Sequence, residues 1–165
     1  METRFKLLGH PVHPMLIVFP LGLLASAAIF DILYVATNNP DLATFSFWAL
    51  AAGLVGGLAA AVFGLIDWLG LPKGTRAHRI GAFHGGGNLV VVALFLSSFL
   101  VRSGNAQYLP DILPLVLSLL GAGLALVTAW LGGELVYRLR VAVDDDAGLD
   151  ASNSLERDGA VDVNA

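Results

Sequence analysis

Apolar residues fill four blocks of the chain, and the polar breaks between them are sharper than any periodicity inside them. The first block opens with Gly9 to Leu24, GHPVHPMLIVFPLGLL, and runs on through Ala25-Ser26-Ala27 to Ile29, Phe30, Ile32, Leu33 and Val35. Arg4 and Lys6 ahead of it, with the small residues at 25–27, imitate a signal peptide. The run is nevertheless roughly 20 residues or more, which is membrane length, so an uncleaved first helix is predicted. It covers about 14–37, with Pro14 in its first turn, His13 as N-cap and a kink expected at Pro20.

Asn38-Asn39-Pro40-Asp41 is a turn cluster, and a second helix follows over about 43–69. Its small residues recur at helical spacing, Gly53 to Gly57 to Ala61 and Ala60 to Gly64, as expected of a surface on which a neighbouring helix packs within a bilayer. Gly70 to Arg79 is a basic connection. A third helix is predicted over about 80–101 and contains His84-Gly85-Gly86-Gly87-Asn88, where each glycine costs a helix about 1 kcal/mol relative to alanine. Arg102 to Asp111 turns the chain, and Pro110 and Pro114 mark the entry to a fourth helix over about 112–137. A second small-residue stripe, Gly121, Ala125, Ala129 and Gly133, lies along it.

Composition fixes the class. Charged residues are 13% of the chain against about 25% in soluble domains, and hydrophobic residues are 56%, with mean hydropathy +0.76, so the apolar surface must face lipid. The prediction is an all-α integral membrane protein, an antiparallel four-helix bundle spanning 1–140, because short connections make consecutive helices neighbours. The net charge of −4 arises in the tail, where seven of the thirteen acids follow Val143. That acidic segment, 141–165, is expected to be disordered. With four spans the termini share a side, which also carries Arg4, Lys6, Lys73, Arg76, Arg79, Arg138 and Arg140 against Arg102 alone opposite. The positive-inside rule then places both termini in the cytoplasm, in a multi-pass protein of the cell membrane.

This topology gathers His10, His13, His78 and His84 at the terminal end, with Asp67 and Glu134 close to the ends of their helices. Ionisable residues at membrane depth are functional candidates. The acids need partners, and the histidines and Arg79 are those at hand; Asp31, with Tyr34, reads as interfacial at the other end. Three chemistries remain open. His13 and His84 on different helices suit the axial positions of haem b, with the glycine run leaving room for the macrocycle and Arg79, Arg76 or Lys73 meeting its propionates. His13, His84, Asp67 and Glu134 alternatively suit a divalent transition metal such as zinc or iron. The same groups also suit a proton or ion pathway. There is no cysteine, which excludes thiolate sites and cysteine-ligated clusters. No nucleophile-base pair, phosphate loop or dinucleotide fingerprint is present, so a stand-alone enzyme is not expected, and nothing points to nucleic acid.

GHPVHPMLIVFPLGLL, the GLIDW of Gly64 to Trp68, the His84 to Asn88 run and the GGELVY of Gly132 to Tyr137 together resemble the prokaryotic membrane family called domain of unknown function 2231. The resemblance spans about Gly9 to Tyr137. It implies a four-helix membrane domain with a polar set of His10, His13, Asp67, His84, Asn88 and Glu134, and it brings no activity. Some relatives are joined to Rieske-type domains, which implies electron transfer, and without cysteine this chain would need a separate redox partner. The leading expectation is a membrane redox module binding haem or a metal through His10, His13, His84, Asn88 and Arg79. A non-catalytic scaffold subunit is the alternative beside the pathway. The bilayer is the certain partner, and a homo-oligomer is left open.

Overall fold

The structure, a computed structural model, describes Thr3 and residues 5–155. A two-strand ribbon leads: β1 (Lys6–Leu7) pairs antiparallel with β2 (His10–Pro11) across Leu8 and Gly9, both at positive φ, 53° and 78°. The chain then enters α1 (Val12–Leu16) and, after a break at Ile17, α2 (Val18–Thr37). Pro20 explains the break, because it offers no N–H to the carbonyl of Leu16 and its ring crowds that carbonyl. His13 is therefore not the N-cap expected of it. Pro11 holds that position, and His13 sits inside the first turn.

The next connection is shorter than the turn cluster implied. Asn38 adopts the left-handed conformation (φ 55°), Asn39 accepts the N–H of Asp41 at 3.1 Å, and α3 (Pro40–Leu69) begins with proline in its first turn. Thr75 caps α4 (Arg76–Ser103), accepting the N–H of His78 at 3.1 Å. That cap draws residues 76–79 out of the basic loop and into the helix, and α4 continues past the expected end at 101 to take in Arg102. A 3-10 turn, Ala106–Tyr108, precedes α5 (Ile112–Gly133), which closes in a π-type turn, Glu134–Arg138.

All four long helical segments are long and apolar enough to cross a membrane. They form two hairpins, α2 with α3 and α4 with α5, which pack together so that α3 meets α4 and α2 meets α5. The seam is filled at mid-height by Leu24, Ala27, Leu50, Leu54, Val91 and Phe95. Glycines allow that closeness. A Cβ on Gly53 would lie 2.7 Å from Leu24, and one on Gly121 would lie 3.0 Å from the Phe95 ring. Leucine, valine and isoleucine side chains cover the outer faces, as lipid contact requires.

The ribbon and residues 139–155 lie at the same end, called here the terminal end. Lys6 Nζ donates to Asp144 at 2.6 Å, and Ser154 reaches the Leu8 carbonyl and the His10 ring, each at 3.4 Å. The segment expected to be disordered from 141 makes these contacts as far as Ser154; residues 156–165 lie outside the described residues.

Candidate functional site

In the terminal half of the seam the rings of His13 and His84 meet edge to face, with centroids 6.5 Å apart and planes at 88°. Each is oriented by the partner helix of its own hairpin. His13 Nδ1 donates to the carbonyl of Ala60 on α3 at 2.8 Å, and His84 Nδ1 donates to the carbonyl of Thr128 on α5 at 2.8 Å. A carbonyl can only accept, so each Nδ1 carries a proton, and the tautomer that leaves Nε2 as the acceptor is the one these contacts select for a neutral ring. Gly64 and Gly132 make room for the rings, since a Cβ there would stand 2.7 Å and 3.2 Å from the respective Cε1 atoms. Asn88 adds a further restraint to His84. Its amide nitrogen donates to the His84 carbonyl at 2.9 Å and lies 3.3 Å from Nε2, while its oxygen accepts from Thr128 Oγ1 at 3.0 Å.

The remaining expected residues do not join this pair. Glu134 bonds Arg76 at 2.5 Å, so neither a histidine nor Arg79 is its partner, and Arg79 is exposed. Asp67 is half-buried on α3, three residues past Gly64. His10 is exposed on β2 beside Ser154. His78 packs against Trp68 at 4.8 Å, and its carbonyl accepts the Trp68 indole N–H at 3.0 Å, which is a structural role. Among the described residues no group of three or more histidines and acids is placed to hold a metal, so the tetrad of His13, His84, Asp67 and Glu134 is not assembled. The glycine run also has a different role from the one expected. Gly85 and Gly86 face outward with nothing within 4 Å of a Cβ position, and only Gly87 makes a close approach, 2.6 Å, to Thr128.

The constellation that sequence reasoning missed is at the other end. Asp31, expected at an interface, and Arg102, expected in a loop, are both 0% exposed and form a bidentate ion pair at 2.7 and 2.5 Å. Arg102 also donates to Ser46 at 3.0 Å and to Ser118 at 3.1 Å. Ser46 donates to the Ala27 carbonyl, and Ser98 links Ser118 to the Pro114 carbonyl. One hydrogen-bonded knot thereby ties α2, α3, α4 and α5 together. A signal for it exists in the chain: Asp31 follows His13, and Arg102 follows His84, by 18 residues, five full turns at 3.6 residues each. Two parallel spans carrying histidines on one face therefore carry opposite charges on that same face, about 27 Å further along.

The polar terminal layer, the apolar waist and the charged knot all lie on segments within one family match. The model for "Predicted membrane protein (DUF2231)" matches residues 9–145. The chain belongs to the DUF2231 family. No curated protein and no solved structure matches it. Within the DUF2231 region the two polar layers are separated by the apolar waist of Leu24, Leu50, Leu54, Val91 and Phe95. A DUF2231 chain built this way is a membrane protein with a fixed pair of imidazoles in one half of its seam and a buried ionic lock in the other.

Proposed function

We propose that this protein is a membrane electron-transfer module in which His13 and His84 would hold one tetrapyrrole-bound metal, as haem b. The spacing of the two rings carries the reading. The ring centres are 6.5 Å apart with planes at 88°, which brings two imidazoles from different hairpins within reach of one shared group. The donor set agrees. Among the described residues no third histidine or acid joins the two imidazoles, which makes a poor shell for a bare ion, whereas a macrocycle would bring four nitrogens of its own. Nδ1–H bonds to carbonyls are the outer-shell contacts that fix the tautomer and orientation of a ligating histidine.

When bound, such a group supplies reversible one-electron chemistry. The protein's residues do the rest: Ala60 and Thr128 hold the rings, Gly64 and Gly132 accommodate them, and Asn88, whose amide nitrogen lies 3.3 Å from His84 Nε2, would release that nitrogen to the bound group while keeping its bond to the His84 carbonyl. Held by both His13 and His84, the group would exchange electrons with a separate redox protein at the terminal end rather than bind a substrate. The exposed Lys73, Arg76, Arg79, Arg138 and Arg140 support a cytoplasmic terminal end. A proton or ion pathway is less well supported, because the apolar waist interrupts any polar route between the histidines and Asp31.

Titrating the purified full-length chain in detergent with hemin, and separately with zinc and with ferrous iron, tests the donor argument. Hemin is expected to bind one to one with the spectrum of a low-spin bis-imidazole complex, and the bare ions more weakly. Stoichiometric tight zinc binding without hemin binding would overturn the tetrapyrrole reading.

A further inference from the structure

The two hairpins place equivalent residues at equivalent stations. His84 and Arg102 each follow His13 and Asp31 by 71 positions, and Thr128 and Gly132 each follow Ala60 and Gly64 by 68. The roles match as well as the spacing. In each hairpin a histidine near the start of the outgoing helix donates Nδ1–H to a carbonyl of the returning helix, at 2.8 Å in both cases. Four residues beyond each carbonyl stands the glycine against which the ring rests. A Pro-Asp pair stands at the start of each returning helix, Pro40-Asp41 within α3 and Pro110-Asp111 just before α5, and Ser46 and Ser118 both accept from Arg102. These pairs, 70 and 72 positions apart, fall outside the 68-residue register. The packing is also paired, because α3 against α4 and α2 against α5 are the two contacts that a two-fold axis along the bundle would interchange.

We infer that the chain is a duplicated helix hairpin, with each copy contributing one half-site composed of a histidine, a carbonyl receiver and a glycine seat, and that Gly64 and Gly132 are positioning residues for His13 and His84. The axis relating the copies passes between the two imidazoles. Equivalent neutral rings, each with Nδ1 protonated and Nε2 unprotonated, therefore face whatever occupies the axis. The copies diverge at two places. Asn88 has no counterpart, because Ile17 stands four residues after His13, and the charges of the lock are opposite, which lets equivalent positions attract where identical residues would repel.

This inference concerns the protein without any cofactor, so it stands apart from the electron-transfer proposal. The test is long-range 1H–15N NMR of the full-length, 15N-histidine-labelled chain in detergent, with assignment by single His→Asn replacements. His13 and His84 are both expected as neutral Nδ1–H tautomers, and finding either one in the Nε2–H form overturns the half-site plan from the wild-type protein alone. Gly64→Ala places a Cβ 2.7 Å from the His13 ring, and should abolish the Nδ1–H signature of His13 while leaving that of His84. Gly132→Ala, at 3.2 Å, should shift His84 in the same sense but less, leaving His13 in place, and Gly85→Ala should move neither. Equal perturbation of both rings by all three variants, or of neither ring by the Gly64 and Gly132 variants, would refute a positioning role.

Discussion

Replacing Arg102 by methionine should destabilise the protein by about 3–5 kcal/mol, because it leaves the Asp31 carboxylate buried without its cation. The pair is 0% exposed and contacts all four spanning helices through Ser46, Ser98 and Ser118. Loss of the guanidinium also strips Ser46 and Ser118 of a donor each. The double replacement Asp31→Leu with Arg102→Met should recover most of that loss, since a well-packed apolar pair of similar volume is often as stable as a buried ion pair. Denaturant or thermal unfolding in a fixed detergent would measure both. If the double variant were as unstable as the single one, the uncompensated charge would not be the cause.

Replacing either His13 or His84 by alanine should weaken hemin binding on the order of a hundredfold or more, equivalent to about 2.7 kcal/mol, with loss of the low-spin bis-imidazole spectrum. The effect follows from the proposed donor pair, since among the described residues no third histidine or acid joins the two imidazoles. His10→Ala and His78→Ala should change neither affinity nor spectrum. His10 is exposed at the ribbon, and His78 packs on Trp68 outside the seam. A variant of His10 as damaging as one of His84 would place the ligand elsewhere.

The sequence carried the fold because membrane spans are written in block length and composition, which do not depend on partners far away in the chain. Helix ends depended on local chemistry that was read incompletely. The Thr75 cap adds the first turn of α4, and the short Asn38–Asn39 connection starts α3 at Pro40. His13 and His84 were recognised as a pair from their shared end of the bundle. Their tautomers were not, since those depend on which carbonyls lie across the hairpin. Shared end, depth and the family resemblance all point Glu134 toward the site, whereas its pairing with Arg76 depends on where α4 begins. Asp31 and Arg102 were separated by reading Arg102 as a loop residue. Extending the third helix by one residue, and noting the repeated five-turn spacing, would have joined them.

The measurement that bears most directly on the account is the absorption spectrum of the chain purified in detergent from haem-replete cells, oxidised and then dithionite-reduced, with iron determined on the same sample. About one haem per chain is expected, with a Soret band that shifts on reduction and is lost in both the His13→Ala and the His84→Ala proteins. A colourless, iron-free protein that also fails to bind added hemin would contradict it, and would leave the two histidines as structural links between the hairpins.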